Sequence, residues 1–191
     1  MSSVYRKHLE NWLGTLAIRA DRVLDIGGAQ LPIRNRLHSF TANEYRILDL
    51  PQPHDARAHV DIVGDLNEPF DIDMEYQIFD MVFCLEVMEY IYNPVQAIHS
   101  IARFMASSGT LYITFPHYYP PHEPYENDYL RYTLSGIRKL MEPYFEIQEV
   151  IPRTARDGLG WVIGGNALRA SKRAGQVEIN ALGFIIRAVR K

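Results

Sequence analysis

The chain holds a single cysteine, Cys84, which excludes an intramolecular disulfide framework and cysteine-rich zinc ribbons. Cysteine used so sparingly fits a reducing compartment. No apolar run approaches the roughly 20 residues that a membrane helix needs. The longest candidate, Ala181 to Val189, is short and carries Arg187. The first residues, Met-Ser-Ser-Val-Tyr-Arg-Lys-His, contain no apolar leader segment, so no secretory signal is expected and the protein reads as soluble and cytoplasmic. Charge of one sign is also missing. There are 20 Lys+Arg against 23 Asp+Glu, a net −3, which gives no overall pull towards nucleic acid.

What is present is ordinary globular composition: 191 residues, 47% hydrophobic and 23% charged. A chain of this length buries about 70% of the surface its unfolded form exposes, so it needs no staples. No repeat or linker-like shift divides it, and one domain over residues 1–191 is expected. The charge is uneven. Residues 1–152 carry 12 basic and 21 acidic side chains, whereas residues 153–191 carry 8 and 2. The basic group Arg169, Lys172 and Arg173 is read as a solvated helix face.

Apolar spacing predicts a first helix over Val4 to Arg19, with Leu9, Leu13 and Leu16 on one side. Val23 to Ile26 reads as a buried strand running into the Gly27-Gly28 turn. Arg34 to Phe40 is a weak helix candidate. Further strands are expected at Tyr45–Leu50, Val60–Asp65, Phe79–Leu85, Thr110–Phe115, Phe145–Ile151 and Gly183–Val189. Pro94 can open a helix in which Val95, Ile98, Ile101, Ala102 and Met105 share a face. Thr133 or Ser135 can cap another, to Met141. Residues 116–128, with four prolines, two histidines and three tyrosines, read as a loop, and Asp157 to Asn166 as a Gly-rich excursion. Strands alternating with helices predict a mainly parallel sheet covered on both faces.

In such a sheet ligands bind beyond the carboxyl ends of the strands. The first four strands end in or beside Asp25-Ile26-Gly27-Gly28, Asp49-Leu50, Asp65-Leu66 and Cys84-Leu85-Glu86. The glycine turn lacks the G-x-G-x-x-G pattern that brings backbone N–H groups to a pyrophosphate, and Asp25 before it would repel one. An acid ending the second strand can accept both hydroxyls of a ribose. Asp65 can receive an adenine amino group. The set suits a nucleoside without phosphates, attached to a cationic centre.

These segments resemble the motifs of class I, Rossmann-like S-adenosylmethionine (SAM)-dependent methyltransferases, in order, over about residues 20 to 150. Val23–Gly28 resembles the first motif, Arg46–Leu50 the ribose-acid strand, Val63–Leu66 the adenine-site motif and Phe79–Ile91 the fourth-strand motif. The stretch from His117 to Thr133 is similar to one in the methyltransferase-11-like group. The resemblance implies a three-layer αβα sandwich around a seven-stranded, mainly parallel sheet with one antiparallel C-terminal strand. It implies SAM as cofactor, held by Asp25, Gly27 and Gly28 at the methionine end, Asp49 and Leu50 at the ribose, and Asp65 and Leu66 at the adenine, with Cys84 and Leu85 on the pocket wall. His117 or His122 would take the acceptor's proton.

The chain departs from the family where two further glycines usually stand, at Ala29 and Leu31, and in Glu89-Tyr90, where Glu-His is frequent. The expected partners are a small-molecule or glycan-type acceptor and, at most, a second copy in a homodimer. Nucleic acid, a bound metal and stable membrane insertion are not expected. Two other readings remain: a methyltransferase-like module without turnover, and an NAD-dependent oxidoreductase, which the missing glycine pattern disfavours.

Overall fold

The computed structural model describes residues 4–51, 59–70, 78–121, 124–154 and 181–191. His122, Glu123, the Gly-rich stretch 157–166 with Trp161, and Arg169, Lys172 and Arg173 lie outside the described residues.

Seven strands form one sheet in the order β3-β2-β1-β4-β5-β7-β6: β1 (Ala17–Ile26), β2 (Ser39–Asp49), β3 (Ile62–Val63), β4 (Phe79–Cys84), β5 (Met105–Pro116), β6 (Phe145–Thr154) and β7 (Ala181–Arg190). Neighbours from β3 to β5 run parallel, and β7 lies antiparallel between β5 and β6. This is the expected sheet, with one antiparallel strand at the C-terminal end of the chain.

Helices α2 (Pro94–Phe104) and α3 (Leu134–Met141) supply side chains to the larger core, where Ile98, Ile101, Phe104, Ile137 and Met141 join Val82, Ile113, Phe115 and Ile186. Sequence signals place both starts. Asn93 caps α2 by accepting the Gln96 N–H, with Pro94 in the first turn, and Thr133 caps α3 by accepting the Gly136 N–H at 3.1 Å. Helix α1 (Val4–Leu13) buries Leu9 and Leu13, one turn apart, in a second core with Val23, Ile33, Phe83, Leu85 and Ile185.

Two expectations near the N-terminus fail for geometric reasons. The first helix stops at Leu13, and β1 begins at Ala17 rather than Val23. Arg19 and Asp21 are exposed and Arg22 is half-buried, so Ile18 is the one buried side chain before Val23, too sparse a pattern to read as an apolar run. The helix expected over Arg34 to Phe40 is also absent; a 3-10 turn at Ile33–Asn35 is followed by β2 from Ser39. The register aligns Ala17 with Ser39, so the connection 27–38 must retrace the whole of β1. A ten-residue strand is roughly 30 Å long. Twelve residues of α-helix would cover only about 18 Å, so the return is made by turns, bends and the 3-10 turn rather than by a helix.

Candidate functional site

The strand order reverses between β1 and β4, which opens the crevice at their carboxyl ends. Gly27 turns the chain out of β1 at φ +75°, and its N–H bonds the Leu48 carbonyl at 2.8 Å. A Cβ there would stand 2.5 Å from Val87 Cγ2, and one on Gly28 would stand 2.2 Å from the Asp25 carboxylate. Both positions exclude a side chain.

Asp25, 4% exposed, accepts the Ile33 N–H at 2.7 Å and the Tyr45 hydroxyl at 2.5 Å. Burial pushes its pKa up to about 6 against those donors. It latches the turn from within. Asp49 ends β2, and its carboxylate accepts the Ala29 N–H at 3.0 Å and the Leu50 N–H at 2.8 Å. A carboxylate has about four acceptor positions, which leaves room for a diol. Leu50 beside it is 47% exposed, an apolar platform at the strand end.

Asp65 closes a turn by accepting the backbone and side-chain N–H groups of Asn67, at 2.9 and 3.0 Å. Buried Asn67, which sequence reading did not single out, accepts the N–H groups of Tyr92 and Asn93 and ties this turn to the start of α2. Leu66 and Leu85 are buried, and Cys84 is fully so, its thiol pushed well above the ordinary range by burial.

On the far side of β4, Glu86 sits at φ 58°, held by the Thr114 hydroxyl, which accepts the Glu86 N–H at 2.7 Å and donates to its Oε1 at 3.0 Å. The Arg153 guanidinium, from β6, forks over the same carboxylate. Three residues on, in the 3-10 turn Met88–Tyr90, Glu89 is buried, and its Oε2 has no hydrogen-bond partner among the described residues. Burial, then the Glu86 charge, push its pKa up to about 8, and the same surroundings push Tyr90 up to about 12. Sequence reading gave Glu89 no role. Its burial has no sequence signature beyond the Glu-x-x-Glu spacing in a turn after a buried strand.

The segment after β5 is strapped across this end of the sheet. Tyr129 and Leu130 donate their N–H groups to the Glu89 carbonyl, at 2.8 and 3.4 Å, and the Tyr132 hydroxyl donates to Met88 O at 3.0 Å. Arg131 grips Asp128 and also the carbonyls of Tyr119 and Pro120. His117, 8% exposed, packs against Tyr118 and Phe184, and its Nδ1 lies 2.7 Å from the Tyr132 carbonyl. A carbonyl only accepts, so Nδ1 carries the proton and Nε2 is the acceptor of the neutral ring. Nε2 has no partner among the described residues.

Residues 36–113 match the model of a family described as methyltransferase domain. No curated protein matches the sequence. Among solved structures the chain is similar to a SAM-dependent methyltransferase from Mesorhizobium loti, at a TM-score of 0.62 and 15% identity, covering 99% of each chain. It is similar to a chain of the Haloferax volcanii complex between the Trm112 methyltransferase activator and a methyltransferase, at 0.62 and 18%, covering 97% of this chain and 88% of that one. It is also similar to Haemonchus contortus phosphoethanolamine N-methyltransferase 2 in complex with SAM, at 0.60 and 20%, covering 96% of this chain and 52% of that one. At these identities the likeness is one of fold. The resemblance carried by the strand-end motifs therefore holds: the chain has the fold of class I SAM-dependent methyltransferases and a matching methyltransferase-domain segment.

Proposed function

We propose that the chain is a SAM-dependent methyltransferase acting on an O or N atom of a small-molecule or glycan-type acceptor. The observation that carries this reading is the Asp49–Leu50 strand end facing the Gly27–Gly28 turn, an acid for a ribose diol beside an exposed apolar platform for a base. The chain enters β2 without an α-helix after the glycine turn, so no helix N-terminus is there to meet a pyrophosphate. That favours a nucleoside sulfonium over a dinucleotide.

In this reading Asp49 holds the ribose and Leu50 the adenine face. The backbone at Asp65 and Leu66 meets the adenine edge, and that at Cys84 and Leu85 lines the floor. Asp25 acts through the turn it latches, keeping Gly27 and Gly28 open to the methionine end. SAM supplies the electrophilic methyl group, and the chain's own task is to hold a nucleophile in line with it, which alone lowers a barrier by several kcal/mol. In this reading His117, whose Nδ1 is engaged by the Tyr132 carbonyl so that Nε2 is the ring's acceptor, or His122 in the same segment, takes the proton of a hydroxyl acceptor.

Asp49→Ala tests the ribose assignment. It is expected to weaken S-adenosylhomocysteine binding by tenfold or more, since hydrogen bonds to a charged group contribute about 1.5–3 kcal/mol each. Unchanged affinity in the folded variant sinks the assignment. A module without turnover is favoured by the helix-free return from β1 to β2; it predicts cofactor binding with no methyl transfer to any acceptor.

A further inference from the structure

Three carboxyls gather where β4 ends and the strap crosses it: Glu86, Glu89 and Asp128. Two are answered by arginines. Glu86 takes both terminal nitrogens of Arg153, and Asp128 takes those of Arg131. Glu89, 9% exposed, has no such cation, and its Oε2 has no partner among the described residues. A buried carboxylate without a cation is costly, so Glu89 holds its proton until a cation pairs with it.

We propose that Glu89 is the head-group subsite for a protonated amine, which it pairs with and relieves of a proton, making the methyl acceptor an amine nitrogen. This rests on the methyl-transfer reading above. The groups facing Glu89 are Cys84 and Glu86 from β4 and its end, Tyr90 from its own turn, Arg153 from β6, and Asp128 and Tyr132 from the strap. Arg153 is the cation among them, and it is engaged by Glu86.

The chemistry distinguishes an amine from a hydroxyl. An alkylammonium loses its proton near pH 10, as lysine does, about two units from the value of about 8 to which burial pushes Glu89. Transfer between such groups is facile, whereas an alcohol is far too weak an acid for a carboxylate to ionise. The ammonium proton passes to Oε2. The freed nitrogen pair forms the N–C bond to the sulfonium methyl, and the electrons of the breaking C–S bond return to sulfur. The products are a thioether and an N-methylammonium. A divalent metal would want three donors, and among the described residues no three His, Cys, Asp or Glu side chains are so arranged.

The test titrates n-butylammonium and n-butanol, which share a chain and differ in head group, into protein carrying carboxyl-13C glutamate, with and without S-adenosylhomocysteine. The expected result is saturable butylammonium binding that shifts the Glu89 resonance and lowers its titration midpoint, with no response to butanol. Glu89→Gln, of the same shape, is expected to weaken butylammonium binding about tenfold and leave S-adenosylhomocysteine binding unchanged. Equal binding of amine and alcohol overturns the proposal, as does undiminished amine binding by E89Q. Displacement of the amine by magnesium chloride at Glu89 overturns it in favour of a metal site. Failure of S-adenosylhomocysteine to bind wild type bears on the cofactor reading alone, because the amine titration of the free protein still decides this one.

Discussion

The guanidinium of Arg153 forks over the carboxylate of Glu86, a residue 67 positions earlier in the chain. Arg153 is fully buried, and the pair joins the last turn of β6 to the end of β4 across β5 and β7. It fixes Glu86 in its left-handed conformation and sets the field in which Glu89 titrates, since Arg153 lowers the Glu89 pKa and Glu86 raises it.

Arg153→Met is therefore expected to leave the half-buried Glu86 carboxylate without its cation and to cost about 1.5–3 kcal/mol of stability. Urea unfolding measures it. The double variant R153M/E86Q is expected to recover part of the loss, because the unpaired charge is gone. A single-variant loss below about 1 kcal/mol, the range of surface pairs, contradicts the buried pair.

The two turn glycines separate by mechanism. Gly27→Ala is expected to destabilise by about 1–2 kcal/mol from its positive φ, with a further contribution from Val87. Gly28→Ala drives a methyl group into the Asp25 carboxylate, so it is expected to disturb the turn and reduce cofactor affinity as well as stability. Thermal melts and a S-adenosylhomocysteine titration read both. An unperturbed G28A protein would mean that Asp25 does not latch the turn.

Stability is expected to depend on pH through Glu89. Its pKa is raised from 4.5 to about 8 by burial and the Glu86 charge, so the folded chain keeps a proton that the unfolded chain has released. The stability carried by that proton is complete below the unfolded value and is lost as pH rises through the folded one. Asp25, raised from 3.8 to about 6, adds a similar loss at lower pH. Melts of wild type and E89Q across that window are expected to diverge as pH rises, with E89Q gaining. A difference independent of pH contradicts an ionising, buried Glu89.

Apolar runs and caps made much of this fold legible. Phe79–Cys84 and the start of α2 at Pro94 lie where the residues place them, because a buried parallel strand and a proline-opened helix have local signatures. The N-terminal half of β1 does not, since exposed Arg19 and Asp21 and half-buried Arg22 mask the strand. The missing crossover helix after Gly28 follows from register, a relation between Ala17 and Ser39 that no local window contains. At the site the strand-end acids were legible by position, but their bonding was not. Asp25 turns inward to Ile33 and Tyr45, and Asp65 spends itself on Asn67. Glu89 was missed because its burial depends on Tyr129 and Leu130 folding back over it, forty residues later in the chain.

In the proposed function, the crevice between β1 and β4 holds a nucleoside sulfonium rather than a dinucleotide. Titration calorimetry of the purified chain with SAM, S-adenosylhomocysteine and NAD tests it most directly. The two sulfur nucleosides are expected to bind in the micromolar range, about −8 kcal/mol, and NAD not at all. Binding of NAD in their place, or of none of the three, contradicts it.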